Sequence, residues 1–271
     1  MELQLSDEER LLAESARKLF ERDCPVELVR SLRDESSSGH SDDLWSKIAS
    51  QGWLGLGLPE AHGGAGTLLD LGLVMEEAGR ALVPTTYRST MQAALLVALL
   101  GTAAQQADLV GRVAAGSAVA TVAVAEPRAI HDLRHLQTWA TPRGGGWVLS
   151  GAKAFVANGH LADPLLVVAR TGVGPPESTL AVFAVPAGTP GLAVEAQATF
   201  AHDRQSRVRL DGVRVGEGAL LGGAEVLGTA ATACALADAR QRWVALLCAE
   251  MAGGARKVVD ITTDYVRGRV Q

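Results

Sequence analysis

The hydropathy period of this chain changes twice, and that double switch limits the fold more than any other feature. Up to about residue 117, apolar residues recur at three- and four-residue spacing, the signature of helices with one buried face. From residue 118 to 221 they alternate with polar residues in short runs separated by glycine, proline and Asp-Gly, the signature of strands and turns. From residue 224 onward the helical period returns. No helical run interrupts the central strands, so a βαβ sheet is excluded, and antiparallel strands in a barrel or paired sheets are predicted instead. The expected architecture is α+β: an N-terminal helical domain (1–117), a middle antiparallel β-barrel domain (118–222), and the first long helix (223–271) of a C-terminal helical bundle.

Local signals place the helices. Ser6 and Glu9 form a capping box ahead of Leu12, Ala16, Leu19 and Phe20, which predicts a helix reaching Asp23 and stopping before Pro25. Residues 33–41 read as a polar loop, and Ser41 as the cap of a second helix that buries Leu44, Trp45 and Ile48 and stops at Gly52. Residues 53–66 (WLGLGLPEAHGGAG) lack the Gly-Lys-Ser/Thr ending of a phosphate loop and read as a tight connection. Residues 68–82 and 87–100 are helical, the second apolar nearly all round and so buried, while Glu76, Glu77 and Arg80 read as a solvated face. Thr102 and Gln105 form another capping box.

In the central third the candidate strands are 119–124, 147–149, 153–157, 165–169, 179–185 and 192–195, then 207–210 paired with 213–215 across an Asp211-Gly212 turn. The last third reads as one long helix with a weak point at Gly253-Gly254. It carries an apolar stripe at Trp243, Leu247, Met251, Val258, Ile261 and Tyr265 that requires helical partners.

Bulk properties exclude several classes. A net charge of −5 gives no general attraction to nucleic acid or to an anionic membrane. No apolar run is long enough for a membrane span, the first residues (MELQLSDEER) do not resemble a signal peptide, and Cys24, Cys234 and Cys248 lack metal spacing. A cytoplasmic protein with reduced thiols is expected. His131, His160 and His202 are too dispersed for a metal site. Asp203, Arg204, Arg207 and Arg209 read as a charged, solvated edge strand rather than an anion site.

Two segments of the middle third carry a resemblance. Ala125-Glu126-Pro127-Arg128-Ala129-Ile130-His131-Asp132 is similar to the Thr-Glu-Pro-Gly-Ala-Gly-Ser-Asp segment of the acyl-CoA dehydrogenases. Lys153-Ala154-Phe155-Val156-Ala157-Asn158-Gly159 is similar to their Lys-x-Trp-Ile-Thr/Ser-Asn-Gly segment. Residues 53–66 also resemble that family's Gly-Trp-Leu-Gly loop, and residues 209–215 its last β-hairpin. The resemblance covers nearly the whole chain, but the Tyr265-to-Gln271 end matches a point from which the family continues into several more helices. It therefore implies a chain without most of the C-terminal domain, or one completed by another chain.

The resemblance implies FAD held between two strand tips, with Ala125, Glu126, Phe155, Val156, Ala157 and Arg269 as contact positions. It also implies an acyl-CoA thioester as substrate and an electron-transfer flavoprotein as electron acceptor. Several side chains depart from the pattern. The family's two hydroxyl-bearing flavin contacts are Ala125 and Ala157 here, a loss of roughly 0.5–1.5 kcal/mol each, or one to two orders of magnitude in affinity together. Phe155 replaces the tryptophan that flanks the ring, and Ile130-His131-Asp132 replaces Gly-Ser-Asp. One branch of the family carries its catalytic glutamate beyond this chain's last residue; the other carries it at the position of Trp243. Glu250, two turns further on, is the nearest carboxylate on that face and the candidate base.

The leading expectation is thus an FAD-dependent acyl-CoA dehydrogenase-like subunit in a homo- or hetero-oligomer with a related chain, as the partner lacking the base. The alternatives are a structural partner without chemistry, or a relative of flavin monooxygenases and nitroalkane oxidases.

Overall fold

A computed structural model of the protein describes residues 4–84, 86–128, 132–201 and 203–269. The sequence readings on Ala129, Ile130, His131 and His202 fall outside the described residues.

The chain opens with α1 (Asp7–Asp23), α2 (Val26–Asp34) and α3 (Asp42–Ser50). The Ser6–Glu9 capping box forms as predicted, and Ser41 caps α3 by accepting from the Leu44 amide. Gly52 follows α3 at φ 74°, a left-handed geometry that glycine adopts without the Cβ penalty. α2 arises where the sequence suggested a stop and a loop. Pro25 ends α1 but then occupies the N-cap of α2, a place where a missing N–H costs little. The far end of α2 is held from 170 residues away: Arg204 Nη2 donates to the carbonyls of Leu32, Arg33 and Ser36 at 3.0, 3.0 and 2.6 Å. Arg204 is therefore a helix C-cap, neither an anion site nor part of a solvated edge. Arg204→Ala is expected to cost about 1–2 kcal/mol and to raise amide hydrogen exchange within residues 26–36 selectively.

Residues 53–66 form a tight connection of two 3-10 turns, as predicted. α4 (Leu68–Ala81) and α5 (Tyr87–Leu100) follow, and then α6 (Ala103–Gln105) runs through a π-helical turn (Gln106–Val110) into α7 (Gly111–Ala114). The charged face assigned to α4 is not solvated. Glu77 is only 4% exposed and takes two hydrogen bonds from Arg17 of α1, at 2.6 and 3.0 Å. Glu76 pairs with Arg256, and Arg80 with Asp260. α4 lies between α1 and a later long helix, so its polar side chains meet partners on both flanks.

The strands are β1 (Thr121–Ala123), β2 (Trp139–Pro142), β3 (Gly146–Ala157), β4 (Leu165–Arg170), β5 (Leu180–Val185), β6 (Leu192–Gln197) and β7 (Gln205–Gly216), with a short α8 (Pro176–Thr179) before β5. They form one curled sheet in the order β1-β4-β2-β3-β7-β6, with β5 also paired to β4. Pairing is antiparallel apart from β1–β4 and a single parallel bridge between β2 and β4. β2 lies between the predicted strands 119–124 and 147–149, where no strand was expected. It joins β3 through a turn in which Gly144 and Gly145 both take positive φ, the type I′ requirement.

Two pairs of predicted strands are single strands. Residues 147–149 and 153–157 belong to β3, and 207–210 and 213–215 to β7. Leu149 pairs with Val213 and Gly151 with Leu210, so the extra residue on β7 at Asp211-Gly212 is a bulge, not a hairpin turn.

Alternate residues of β4 and β5 face opposite layers. Leu166, Val168, Leu180 and Val182 join the helical core; Leu165, Val167, Ala181 and Phe183 fill the hollow of the sheet with Leu149, Val208 and Trp147. The last element, α9 (Ala231–Gly268), is one continuous helix that runs through Gly253-Gly254. Its buried seam is Thr232, Leu236, Ala239, Leu246 and Gly253, laid mainly on α4 and α5. The apolar stripe expected to need partners is only met in part: Trp243 donates to Gln92 O, while Met251, Val258, Ile261 and Tyr265 are more than half exposed. Among the described residues no helix is long and apolar enough to cross a membrane, and no group of three metal-ligating side chains assembles.

Candidate functional site

The two segments singled out by the sequence run alongside each other in opposite directions, so that residue 125 lies level with 154 and residue 157 with 121. The Ala154 amide donates to Ala125 O at 2.9 Å, and Thr121 Oγ1 donates to Ala157 O at 2.7 Å. Below them sits a buried ion pair that spacing alone did not reveal. Lys153 Nζ, fully buried, reaches Glu126 Oε1 at 2.8 Å and Val124 O at 3.1 Å. The Glu126 carboxylate also accepts the amides of Gln137 and Thr138 at 2.6 and 3.0 Å. Burial pulls the Lys153 ammonium down to about 8, against the attraction of Glu126. Burial alone would raise the Glu126 carboxyl, but the Lys153 charge and these hydrogen bonds more than offset it and hold it below the usual carboxylate range. Both groups are ionised at neutral pH. One carboxylate thereby pins the segment after β1, the start of β2 and the middle of β3 to one another.

Phe155 stands above this anchor. Between Lys153–Val208 and Val156–Ser206 the register gains a residue on β3, which turns Phe155 to φ 53° with its side chain 48% exposed. An aromatic residue in the left-handed region carries a strain of order 1–3 kcal/mol. The surroundings hold it there, because its amide donates to Gln197 Oε1 at 3.1 Å. Val156 is buried and points the other way. The result is a flat apolar ring turned out to solvent from a bulge in β3.

Asn158, also at positive φ, closes the tip: its Nδ2 donates to Ser89 Oγ of α5 at 3.0 Å. Ala157, Asn158, Ser89, Tyr87, Met75, Ala78 and Val83 then surround a cavity of about 60 Å³ between β3, α4, α5 and α9. Glu250 of α9 is part of its wall, with Oε2 at 2.6 Å from Arg88 Nε. Glu250 is therefore engaged in an ion pair rather than left free. Arg269 lies elsewhere, beyond the end of α9, with its guanidinium 5.8 Å from the Tyr265 ring centre and 3.3 Å from the Tyr265 hydroxyl. Ala125 and Glu126 thus lie against Lys153 and Ala154, Phe155, Val156 and Ala157 follow on β3, Glu250 lines the cavity beside Ala157, and Arg269 lies beyond the far end of α9.

A helical layer over a curled sheet, with a strand tip and a long crossing helix meeting at one edge, defines the acyl-CoA dehydrogenase fold. The comparisons agree. Residues 6–117 match the acyl-CoA dehydrogenase N-terminal domain and residues 121–213 the acyl-CoA dehydrogenase middle domain. Acyl-CoA dehydrogenase FadE12 of Mycobacterium tuberculosis is 33% identical over 195 residues, 68% of this chain and 49% of that protein. The chain spans about half the length of the curated relatives it matches. Among solved structures, the Tcur3481-Tcur3483 steroid ACAD (a variant form) matches with a TM-score of 0.82 at 35% identity, covering 98% of this chain and 68% of that one. The ChsE4-ChsE5 complex from Mycobacterium tuberculosis matches with a TM-score of 0.82 at 26% identity, over 100% of this chain and 70% of that one. The chain belongs to the acyl-CoA dehydrogenase family.

Proposed function

We propose that this chain is a cytoplasmic subunit of an FAD-dependent dehydrogenase that introduces an α,β double bond into an acyl-CoA thioester and passes the electrons to an electron-transfer flavoprotein. The observation that carries the reading is Phe155, an aromatic ring that a strained bulge and the Gln197 contact hold open to solvent at the strand tip. A flat ring stacked on it would cover it.

The residues fit a flavin as one wall. Phe155 would pack against the ring, and the backbone at Ala125, Glu126 and Ala157 would follow its edge, without the side-chain hydroxyls that the alanines lack. When bound, the flavin would accept the hydride, which no side chain can do. This chain's own residues would orient and exclude water: the Lys153–Glu126 pair fixes the segment after β1 to β3, and Asn158 ties the end of β3 to α5.

Removal of the α proton needs a free carboxylate, and Glu250 is engaged by Arg88. We therefore propose that the base comes from a related chain in a hetero-oligomer. Two of the solved relatives carry paired names, Tcur3481-Tcur3483 and ChsE4-ChsE5, in keeping with that reading. Co-purification with such a chain is expected to give visible flavin absorbance that bleaches anaerobically on adding the matched acyl-CoA. Phe155→Ala is expected to weaken FAD retention about tenfold, from the loss of an aromatic contact of roughly 0.5–1.5 kcal/mol beyond its buried area. A complex that is colourless with the partner present would leave this chain as a structural subunit, the reading that Ala125 and Ala157 favour.

A further inference from the structure

A second cavity, of about 440 Å³, lies between α1, α2, α4 and α9. That volume falls within the roughly 300–1,000 Å³ of small-molecule sites. α4 reaches it with Glu77, Arg80 and Ala81, a different face of the helix from Met75 and Ala78 behind Asn158. The floor holds the buried side chains of Phe20 and Cys24. Burial pushes the Cys24 thiol up to about 11, so the floor carries no charge at neutral pH. The rim is apolar as well, yet open: Val26, Leu82 and Ile261 are each half exposed or more. Contiguous exposed apolar surface around a cavity marks a binding site. Leu82 singles the place out. It closes α4 at φ 54°, the left-handed position that glycine fills without strain. A leucine there is strained, and at 65% exposure it recovers little by burial within its own chain.

The charges of the lining are settled except at one place. Arg17 is engaged by Glu77 and Arg80 by Asp260, and Glu21 faces the charge of Arg17. Lys257, on the α9 wall, makes none of the ion pairs found among the described residues. We propose that this cavity binds a small elongated ligand with an apolar body and one anionic end, the body over Phe20, Cys24 and Leu82 and the anion at Lys257. Such a ligand covers the strained, exposed leucine and gives the lysine a counter-charge. The site is separate from the Phe155 bulge, so it stands or falls without the flavin reading.

Calorimetric titration of the whole chain with decanoate and with decanol tests the proposal. Wild type is expected to bind decanoate at one site, and decanol about two- to fivefold more weakly, the worth of one exposed ion pair. Lys257→Gln is expected to weaken decanoate by that same factor and to leave decanol unchanged. Leu82→Gly is expected to weaken both about tenfold or more, the loss of a leucine contact. Its melting temperature should equal that of wild type or exceed it, because the strain at residue 82 is relieved. Ala81→Phe, which fills the cavity from α4, is expected to abolish binding; where it does not fold by circular dichroism, Leu82→Gly carries the test. Wild type that binds neither probe overturns the proposal. So does binding that folded Leu82→Gly or Ala81→Phe leaves intact, since the probe then sits elsewhere. Equal affinity for the two probes in both wild type and Lys257→Gln overturns the anionic end.

Discussion

Lys153→Met is expected to lower the unfolding free energy by about 3–5 kcal/mol at pH 7, the usual cost of leaving one member of a buried ion pair without its partner. Glu126 would remain 4% exposed with two backbone amides but no counter-charge. For a chain of this size such a loss corresponds to a melting temperature lower by about 10 °C or more. The pH dependence gives a second check. In wild type the Glu126 carboxyl lies below its ordinary value of 4.5, so its contribution is complete above that value and fades as the pH falls through the folded one. In Lys153→Met, burial without Lys153 pushes the same carboxyl upward, and the gap between variant and wild type should narrow below about pH 4.5. Urea denaturation at pH 7 and pH 4 reads both effects. Glu126→Gln is expected to be milder above pH 8, because the Lys153 ammonium, already drawn down to about 8, can shed its proton. Equal losses in both variants at every pH would mean that packing, not charge, holds the two segments together. Replacing both groups (Glu126→Gln/Lys153→Met) should restore part of the stability, since no uncompensated charge is then buried.

The elements most easily read from the sequence are those whose cause is local. The capping boxes at Ser6 and Thr102, the glycine turn before β3 and the Asn158 strand end each act within a few residues, and each forms as the residues suggest. What was misread has distant causes. α2 ends on Arg204, and no pattern within residues 26–36 announces that. Glu77 looked solvated because Glu76, Glu77 and Arg80 make a local charged cluster, yet its partner is Arg17, 60 residues back across the helix interface. Asp211-Gly212 has the composition of a hairpin turn, but β3 continues past it and Leu149 and Gly151 keep partners on either side, so the same two residues become a bulge. The site shows the same division. The motif residues 125–126 and 153–159 located the site, while the contacts that decide its chemistry, Lys153–Glu126 and Arg88–Glu250, join residues 27 and 162 positions apart.

Gly253 separates a local from a distant cause most sharply, because the two predict opposite signs. If the Gly253-Gly254 pair were only a weak point in a long helix, Gly253→Ala would stabilise α9 by about 0.8–1 kcal/mol, the ordinary helix-interior penalty of glycine. The packing against α4 predicts the reverse. A Cβ at Gly253 would lie 1.7 Å from Glu76 O and 2.9 Å from Arg80 N, both backbone atoms that cannot turn aside. The same seam is closed from the other side by Gly79, whose Cβ would meet Glu250 O. Relief requires α4 and α9 to move apart along their whole contact, and overpacking of that kind costs about 1–3 kcal/mol, occasionally more. Gly253→Ala is therefore expected to destabilise, by up to about 2 kcal/mol after its propensity gain is included. Gly254 supplies the control one residue away: its nearest neighbour would be Gly79 O at 3.6 Å, an ordinary contact. Gly254→Ala should therefore be neutral, or stabilising by up to about 1 kcal/mol. The two variants measured side by side by chemical denaturation decide the matter; stabilisation in both would mean that α4 and α9 do not approach as closely as the fold requires. Because Arg88 and Glu250 bridge α5 to the same stretch of α9, a destabilised Gly253→Ala should also loosen their ion pair.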